Sequence, residues 1–222
     1  PLIIVNGMEM LNNKVLFRKE IEALTSLPII GEVVFNNSKQ QLVLEAGKRS
    51  FIAEEFRKIR ISLLFLGIDA NHKKIVVTSS IPGEGKSFIA ANLAVSLAMT
   101  GKKVALIDMD LHDPSLGKLF DITSSEAGVS NYLTGEKEIK EIMREIPNQK
   151  NLFFFSSGSI QESPSELLEN GKIQHLIAYL EENYDVVILD TAPVVMVTDA
   201  YLLSSLCDAT LYVVRHKYTP KM

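Results

Sequence analysis

Residues 74–87 read KIVVTSSIPGEGKS and decide the fold. Ile75-Val76-Val77 is a short apolar run bounded by a turn signal, the pattern of a buried strand. It empties into Ser79-Ser80-Ile81-Pro82-Gly83-Glu84-Gly85-Lys86-Ser87. Ile89, Leu93 and Leu97 follow at helical spacing with alanines between them. Strand, glycine-rich turn, Lys-Ser and helix in this order form a P-loop, a device for holding a triphosphate. The turn lets backbone N–H groups face inward, and the helix N-terminus adds positive partial charge. Lys86 is expected to reach the β- and γ-phosphates and Ser87 to bind Mg²⁺ through its hydroxyl, with Pro82, Gly83, Glu84, Gly85 and Phe88 completing the nucleotide contacts. The usual pattern is G-x-x-x-x-G-K-[ST]; Ser80 stands where its first glycine is expected.

Downstream, Gly101 closes the P-loop helix, and Val104-Ala105-Leu106-Ile107 reads as a second buried strand. It delivers Asp108, Asp110 and Asp113 into the loop that follows. Open parallel sheets bind ligands at the C-terminal ends of their strands, and Mg-nucleotide sites use one or two carboxylates with phosphate oxygens and waters. Leu152–Phe155 reads as a third strand and 172–182 as an amphipathic helix. Val186-Val187-Ile188-Leu189 is a fourth strand, ending in Asp190. Four apolar residues and an Asp, about a hundred residues behind a P-loop, have the Walker B form, whose carboxylate holds a water on Mg²⁺. Residues 209–214 give a fifth strand. Strands apolar throughout and alternating with helices imply an α/β fold, a P-loop NTPase with a mostly parallel central sheet covered by helices on both faces.

Before the P-loop, residues 13–24 carry a weak helical pattern. Residues 27–33 read as a turn into a short strand, and 36–41, NNSKQQ, as a mobile polar loop. Residues 50–66 form a strong amphipathic helix with Ile52, Phe56, Ile59, Leu63 and Leu66 on one stripe. Off that stripe lie Glu54, Arg57 and Arg60; their spacing alone reads as a solvated face with a Glu54–Arg57 pair. Residues 115–145 read as short helices broken at Gly117, Gly128 and Gly135.

Composition narrows the function classes. The chain has 222 residues, 46% of them hydrophobic, enough for one α/β domain with a full core. A net charge of -4 argues against a broad nucleic-acid surface. The single cysteine, Cys207, excludes an internal disulfide. No apolar stretch approaches the roughly 20 residues a membrane span needs. The first residue is Pro1, and the sequence is expected to be a piece of a longer chain. His72, His175 and His216 show no metal-ligand spacing, and the tyrosines at 132, 179, 184, 201 and 212 lie within elements and read as packing.

Taken together, these motifs resemble the bacterial protein tyrosine kinases of exopolysaccharide and capsule export, the BY-kinases. The P-G-E-G-K-S form, Asp108-x-Asp110 (Walker A′), Glu54-x-x-Arg57-x-x-Arg60, Leu27-Pro28-Ile29-Ile30-Gly31 and Ser163-Pro164-Ser165-Glu166-Leu167-Leu168 are similar to that family's motifs in the same order. The resemblance spans about residues 20–216. It implies an ATP-dependent tyrosine autokinase using ATP/ADP and Mg²⁺. Lys86, Asp108 and Asp110 would be catalytic, with Asp108 orienting the tyrosine hydroxyl. Ser87, Asp110 and Asp190 would hold the metal. Glu54, Arg57 and Arg60 would join copies into a ring that phosphorylates in trans. It also implies residues 1–49 as a juxtamembrane-like segment packing on a kinase domain of residues 50–222, and an activating transmembrane segment fused N-terminally. A cognate tyrosine phosphatase and a location on the cytoplasmic side of the bacterial inner membrane follow from the same likeness. The chain departs from the family at His112, where an Arg is usual, at Ala192, where Walker B has Pro, and in carrying Tyr218 alone in place of a tyrosine-rich tail. The last strand and helix of the fold are also expected to be missing. Two other readings compete. One is a switch ATPase of the partition and division-site type, against which stands Ile81 at the place of those proteins' signature lysine. The other is a nucleotide-gated interaction module without phosphotransfer.

Overall fold

A computed structural model describes residues 13–38, 40–45, 49–69, 71–122, 127–161 and 163–221. The elements are α1 (Arg18–Glu22), α2 (Phe51–Phe65), β1 (Lys74–Ser79), α3 (Lys86–Ala98), β2 (Val104–Met109), a 3-10 turn (Leu116–Phe120), α4 (Val129–Thr134), a second 3-10 turn (Ile139–Glu141), β3 (Met143–Glu145), β4 (Leu152–Phe155), α5 (Pro164–Leu167), α6 (Lys172–Asn183), β5 (Val186–Thr191), α7 (Asp199–Ser204) and β6 (Ala209–Val213). They build a six-stranded sheet in the order β3-β4-β2-β5-β1-β6. All neighbours are parallel except β3, which pairs antiparallel with β4 at the edge.

Period-two alternation sorts the strand residues between two cores. Ile75, Val77, Val104, Leu106, Val186 and Ile188 join the core under α2 and α3. Val76, Ala105, Ile107, Met109, Val187 and Leu189 join the core under α4, α6 and α7. Both faces being buried, the strands read as unbroken apolar runs. Helix α3 is buried on nearly every side from Ala90 to Ala98, because α2 covers its outer face with Phe56, Ile59 and Leu63. Ser50 caps α2, its hydroxyl accepting from Ala53 N–H at 3.1 Å.

Three local expectations change. Residues 27–33 form no strand among the described residues: this segment lies across α2, close enough that a Cβ on Gly31 would stand 2.4 Å from Ile59 Cγ1, and no strand offers it a partner. The helix expected over 13–24 contracts to α1, which buries no residue, so nothing stabilises further turns. The NNSKQQ stretch, Lys39 lying outside the described residues, is a turn closed by Asn36, which donates to Gln40 O at 2.7 Å and accepts from Ser38 N–H at 3.0 Å. Strand β3 was not legible, being three residues long and paired on one side only.

Residues just before α2 also reach the site. Asn92, fully buried in α3, accepts from Val43 N–H at 2.8 Å and donates to Gln41 O at 3.0 Å. An amide side chain thus satisfies the backbone groups of this stretch as a neighbouring strand would, and Leu44 lies in the core.

Candidate active site

The turn from β1 into α3 has the conformation its glycines permit. Gly83 (φ +83°) and Gly85 (φ +98°) are both left-handed, and Gly85 is the N-cap of α3. Ser80 keeps an ordinary negative φ, so the position usually held by glycine carries a side chain here without strain. Its hydroxyl is used, lying 2.8 Å from Tyr212 Oη on β6.

A cavity of about 460 Å³ opens above this turn. Pro82, Gly83, Gly85, Lys86, Ser87, Phe88, Asp110 and His112 are among the residues lining it, with Gln41 at one rim and Lys118 and Met196 at others. The Glu84 side chain, grouped from sequence with the nucleotide contacts, does not face the cavity. It is buried, accepting from Ile81 N–H at 2.8 Å and from the Thr219 hydroxyl.

Parallel pairing sets the carboxylates. Asp108 on β2 stands directly opposite Asp190 on β5, and both lie inside the strands rather than past their ends. Asp108 accepts from the N–H groups of Asp110 (3.3 Å) and Leu116 (3.2 Å), tightening the loop after β2. Asp110 accepts from Lys86 Nζ at 2.9 Å and from Asp113 N–H at 3.0 Å. Neither oxygen of the fully buried Asp190 has a hydrogen-bond partner. Burial pushes the Asp190 carboxyl up to about 6, against the pull of the Lys86 ammonium and the nearby Ser87 hydroxyl. Burial, with the charges of Asp190 and Asp110, raises Asp108 well above the usual carboxylate range. For Lys86, burial works against the ammonium, but Asp190, Asp110 and Asp108 outweigh it and raise its pKa.

One ammonium therefore faces three buried carboxylates, and the least satisfied of them sits beside Ser87. The bare oxygens of Asp190, with the Ser87 hydroxyl and Asp110, are a hard-oxygen donor set that suits Mg²⁺. Among the described residues no group of three His, Cys, Asp or Glu side chains could hold a metal by itself.

Sequence reasoning missed several participants. Asp199, with no exposed surface, accepts from Ser165 Oγ at 2.6 Å and sits 3.1 Å from His112 Nε2, so the SPSELL segment and β5's following helix fix the histidine that lines the cavity. Arg215, Tyr218 and Thr219 touch the P-loop from outside. Only Asn92 and Ser96 left a trace in the sequence, as polar residues inside an otherwise apolar helix. The proposed interface triad divides in two. Arg57 pairs with Glu54 on the surface, whereas Arg60 is half-buried and donates to Ser96 O at 2.6 Å within the same chain.

Residues 72–218 match the family model described as an AAA domain. The chain is 36% identical to the tyrosine-protein kinase YwqD of Bacillus subtilis over 173 residues, 78% of this chain and 72% of that protein. It is 32% identical over 188 residues to a longer Klebsiella pneumoniae protein, named for a tyrosine-protein kinase in the cps region, of which it spans 26%. The crystal structure of the chimerical protein CapA2B2 superposes with a TM-score of 0.80 at 34% identity, covering 88% of this chain and 84% of that one. With the P-loop and Asp110 lining one cavity and Asp108 paired with Asp190 in the buried sheet beside it, the chain belongs to the bacterial tyrosine-protein kinases, the BY-kinases of capsule and exopolysaccharide regions.

Proposed function

We propose that this chain transfers the γ-phosphoryl group of ATP to tyrosine hydroxyls, with Mg²⁺ bound between Ser87, Asp110 and Asp190. The observation that carries this reading is the fully buried, unpartnered Asp190 carboxylate beside the Lys86–Asp110 pair. Phosphoryl transfer needs positioning and charge neutralisation more than covalent help from the protein. The N–H groups from Gly83 to Ser87 cradle the β-phosphate at the helix N-terminus. Lys86 leaves Asp110 and neutralises the β- and γ-oxygens as the bond between the γ-phosphorus and the bridging oxygen breaks. Bound Mg²⁺ supplies further neutralisation of the phosphate charge. The tyrosine oxygen forms the new bond to phosphorus and gives its proton to Asp108, the member of the Asp108–Asp110 pair not assigned to Mg²⁺. Asp110 lines the cavity, and Asp108 also holds the loop after β2 through the Asp110 and Leu116 amides.

We also read α2 as an interface between copies. Glu54 is exposed and Arg57 partly so, and Ile61, Leu64 and Phe65 of the same helix, with Leu66 at its C-cap, are exposed, an apolar patch of the kind that marks association. No helix among the described residues is long and apolar enough to cross a membrane. By likeness to the longer relatives, a transmembrane activator preceding residues 1–49, a cognate phosphatase and a place on the cytoplasmic side of the inner membrane complete the reading. The test is to incubate the chain with Mg-ATP and an added tyrosine-rich peptide. Phosphotyrosine on protein or peptide supports the reading; ADP and free phosphate alone would make the chain a switch ATPase instead.

A further inference from the structure

The six residues after β6, 214–219, have no part in the chemistry above, yet three of them grip the P-loop. Tyr218 Oη donates to Pro82 O at 3.0 Å, and Arg215 Nη1 donates to Gly83 O at 2.6 Å. A trans peptide is planar, so its C=O and N–H point in opposite directions. Holding Pro82 O aims the N–H of Gly83, and holding Gly83 O aims the N–H of Glu84. Pro82 and Gly83 line the cavity, whereas Arg215 and Tyr218 are not among its lining residues, so carbonyls held by those two side chains leave the paired amides to face the other way.

We propose that Arg215 and Tyr218 are positioning residues for the polyphosphate: by pinning two consecutive P-loop carbonyls from behind, they aim the Gly83 and Glu84 amides at the β-phosphate. Two features of the packing support this role. The Arg215 guanidinium lies 4.9 Å from the centroid of the Tyr218 ring, so the two donors brace each other. A Cβ on Gly83 would lie 2.7 Å from Tyr218 Oη, so the tyrosine seats against that glycine in particular. The Glu84 carboxylate adds a third point, joining Ile81 N–H to the Thr219 hydroxyl.

The gripping turn is itself held. Thr219 Oγ1 accepts from Arg215 N–H at 2.8 Å, and the turn passes through Lys217 at φ +59°. Backbone bonds Val15 N–H to Thr219 O (2.9 Å), Lys217 N–H to Val15 O (2.8 Å) and Lys221 N–H to Asn13 O (2.9 Å) sew it to the segment before α1. Lys221 Nζ pairs with Glu20 at 2.6 Å. The donors therefore reach the P-loop from a fixed support.

The inference rests on the reading that this cavity takes Mg-ATP, and the experiment separates the two. Mg-ADP and Mg-pyrophosphate are titrated calorimetrically into wild type, Tyr218→Phe and Arg215→Met, with the melting temperature of each nucleotide-free protein recorded. Failure of wild type to bind Mg-ADP would remove the underlying reading. If wild type binds, Tyr218→Phe is expected to weaken both ligands about threefold to tenfold and Arg215→Met by more than about tenfold, the ranges for losing a neutral and a charged hydrogen bond. In kinase assays the KM for ATP rises in parallel while kcat at saturating ATP stays within about twofold of wild type. Unchanged affinity in Tyr218→Phe overturns the proposal, as does weakened ADP binding with pyrophosphate binding intact, which would place these side chains on the base instead. Should Arg215→Met fail to fold, Tyr218→Phe and Arg215→Lys decide the matter alone, with Lys restoring part of the affinity.

Discussion

Asp190 is the residue on which the energetics of the site turn. Its carboxyl is fully buried, has no hydrogen-bond partner, and faces Asp108 across the strand pair. A rise from 3.8 to about 6 corresponds to roughly 3 kcal/mol against the ionised form. The sign follows from linkage: with the folded value above the unfolded one, the stabilising contribution of the protonated form is present below about pH 4 and is lost as pH rises through about 6. Nucleotide-free protein should therefore lose stability between those pH values. Asp190→Asn should flatten that dependence, gain about 1–3 kcal/mol at pH 7 in urea unfolding, and abolish phosphotransfer. A destabilised Asp190→Asn protein would mean that the carboxylate is structural. Lys86→Met is the opposite experiment. It strips the one ammonium from three carboxylates, and should cost about 2–4 kcal/mol at pH 7, less at pH 5 where the carboxyls take up protons, while nucleotide binding measured by calorimetry falls below detection.

At the scale of elements, the fold brings α4 against the backbone that leaves β4. Val129 N–H donates to Ser156 O and Ser130 N–H to Ser157 O, each at 2.8 Å. Gly128 makes this approach possible: a Cβ there would stand 2.3 Å from both Gly158 N and Ser156 O. Gly128→Ala must push backbone apart, since no flexible side chain can yield, and should cost more than about 3 kcal/mol or prevent folding; circular dichroism melts would show it. This glycine appeared in the sequence only as a helix break, because its neighbours in space are about thirty positions away. The same distinction governs what could be read. β1, β2, β4 and β5 were legible because both faces are buried and the chain is apolar without interruption. The P-loop and the two acidic motifs were legible because each is a local spacing. Residues 27–33 read as a strand because they are largely apolar, and they have no strand partner among the described residues. Arg215 and Tyr218 were not legible as P-loop contacts, since they act on residues more than 130 positions away and no local pattern encodes that.

For the whole molecule the open quantity is assembly, and α2 carries two arginines that the structure distinguishes. Ser96 is in the last turn of α3, where carbonyls lack helical partners and the dipole end is negative. Arg60, half-buried, supplies a cation to that carbonyl, so it ties α2 to the nucleotide-binding helix whether or not a second copy is present. Arg57 has only the exposed Glu54 as a described partner, and exposed pairs contribute about 0–1 kcal/mol. Alanine at the two positions should therefore separate assembly from stability. Arg57→Ala is expected to lower the mass seen by multi-angle light scattering and to slow phosphorylation in trans, with a melting temperature within about 2 °C of wild type. Arg60→Ala is expected to lower the melting temperature by about 2–6 °C, even at dilutions where wild type is already dissociated. An unchanged mass for Arg57→Ala would remove α2 from the interface. A stability loss in Arg60→Ala that vanishes on dilution would mean its main contact lies on a neighbouring copy rather than on Ser96.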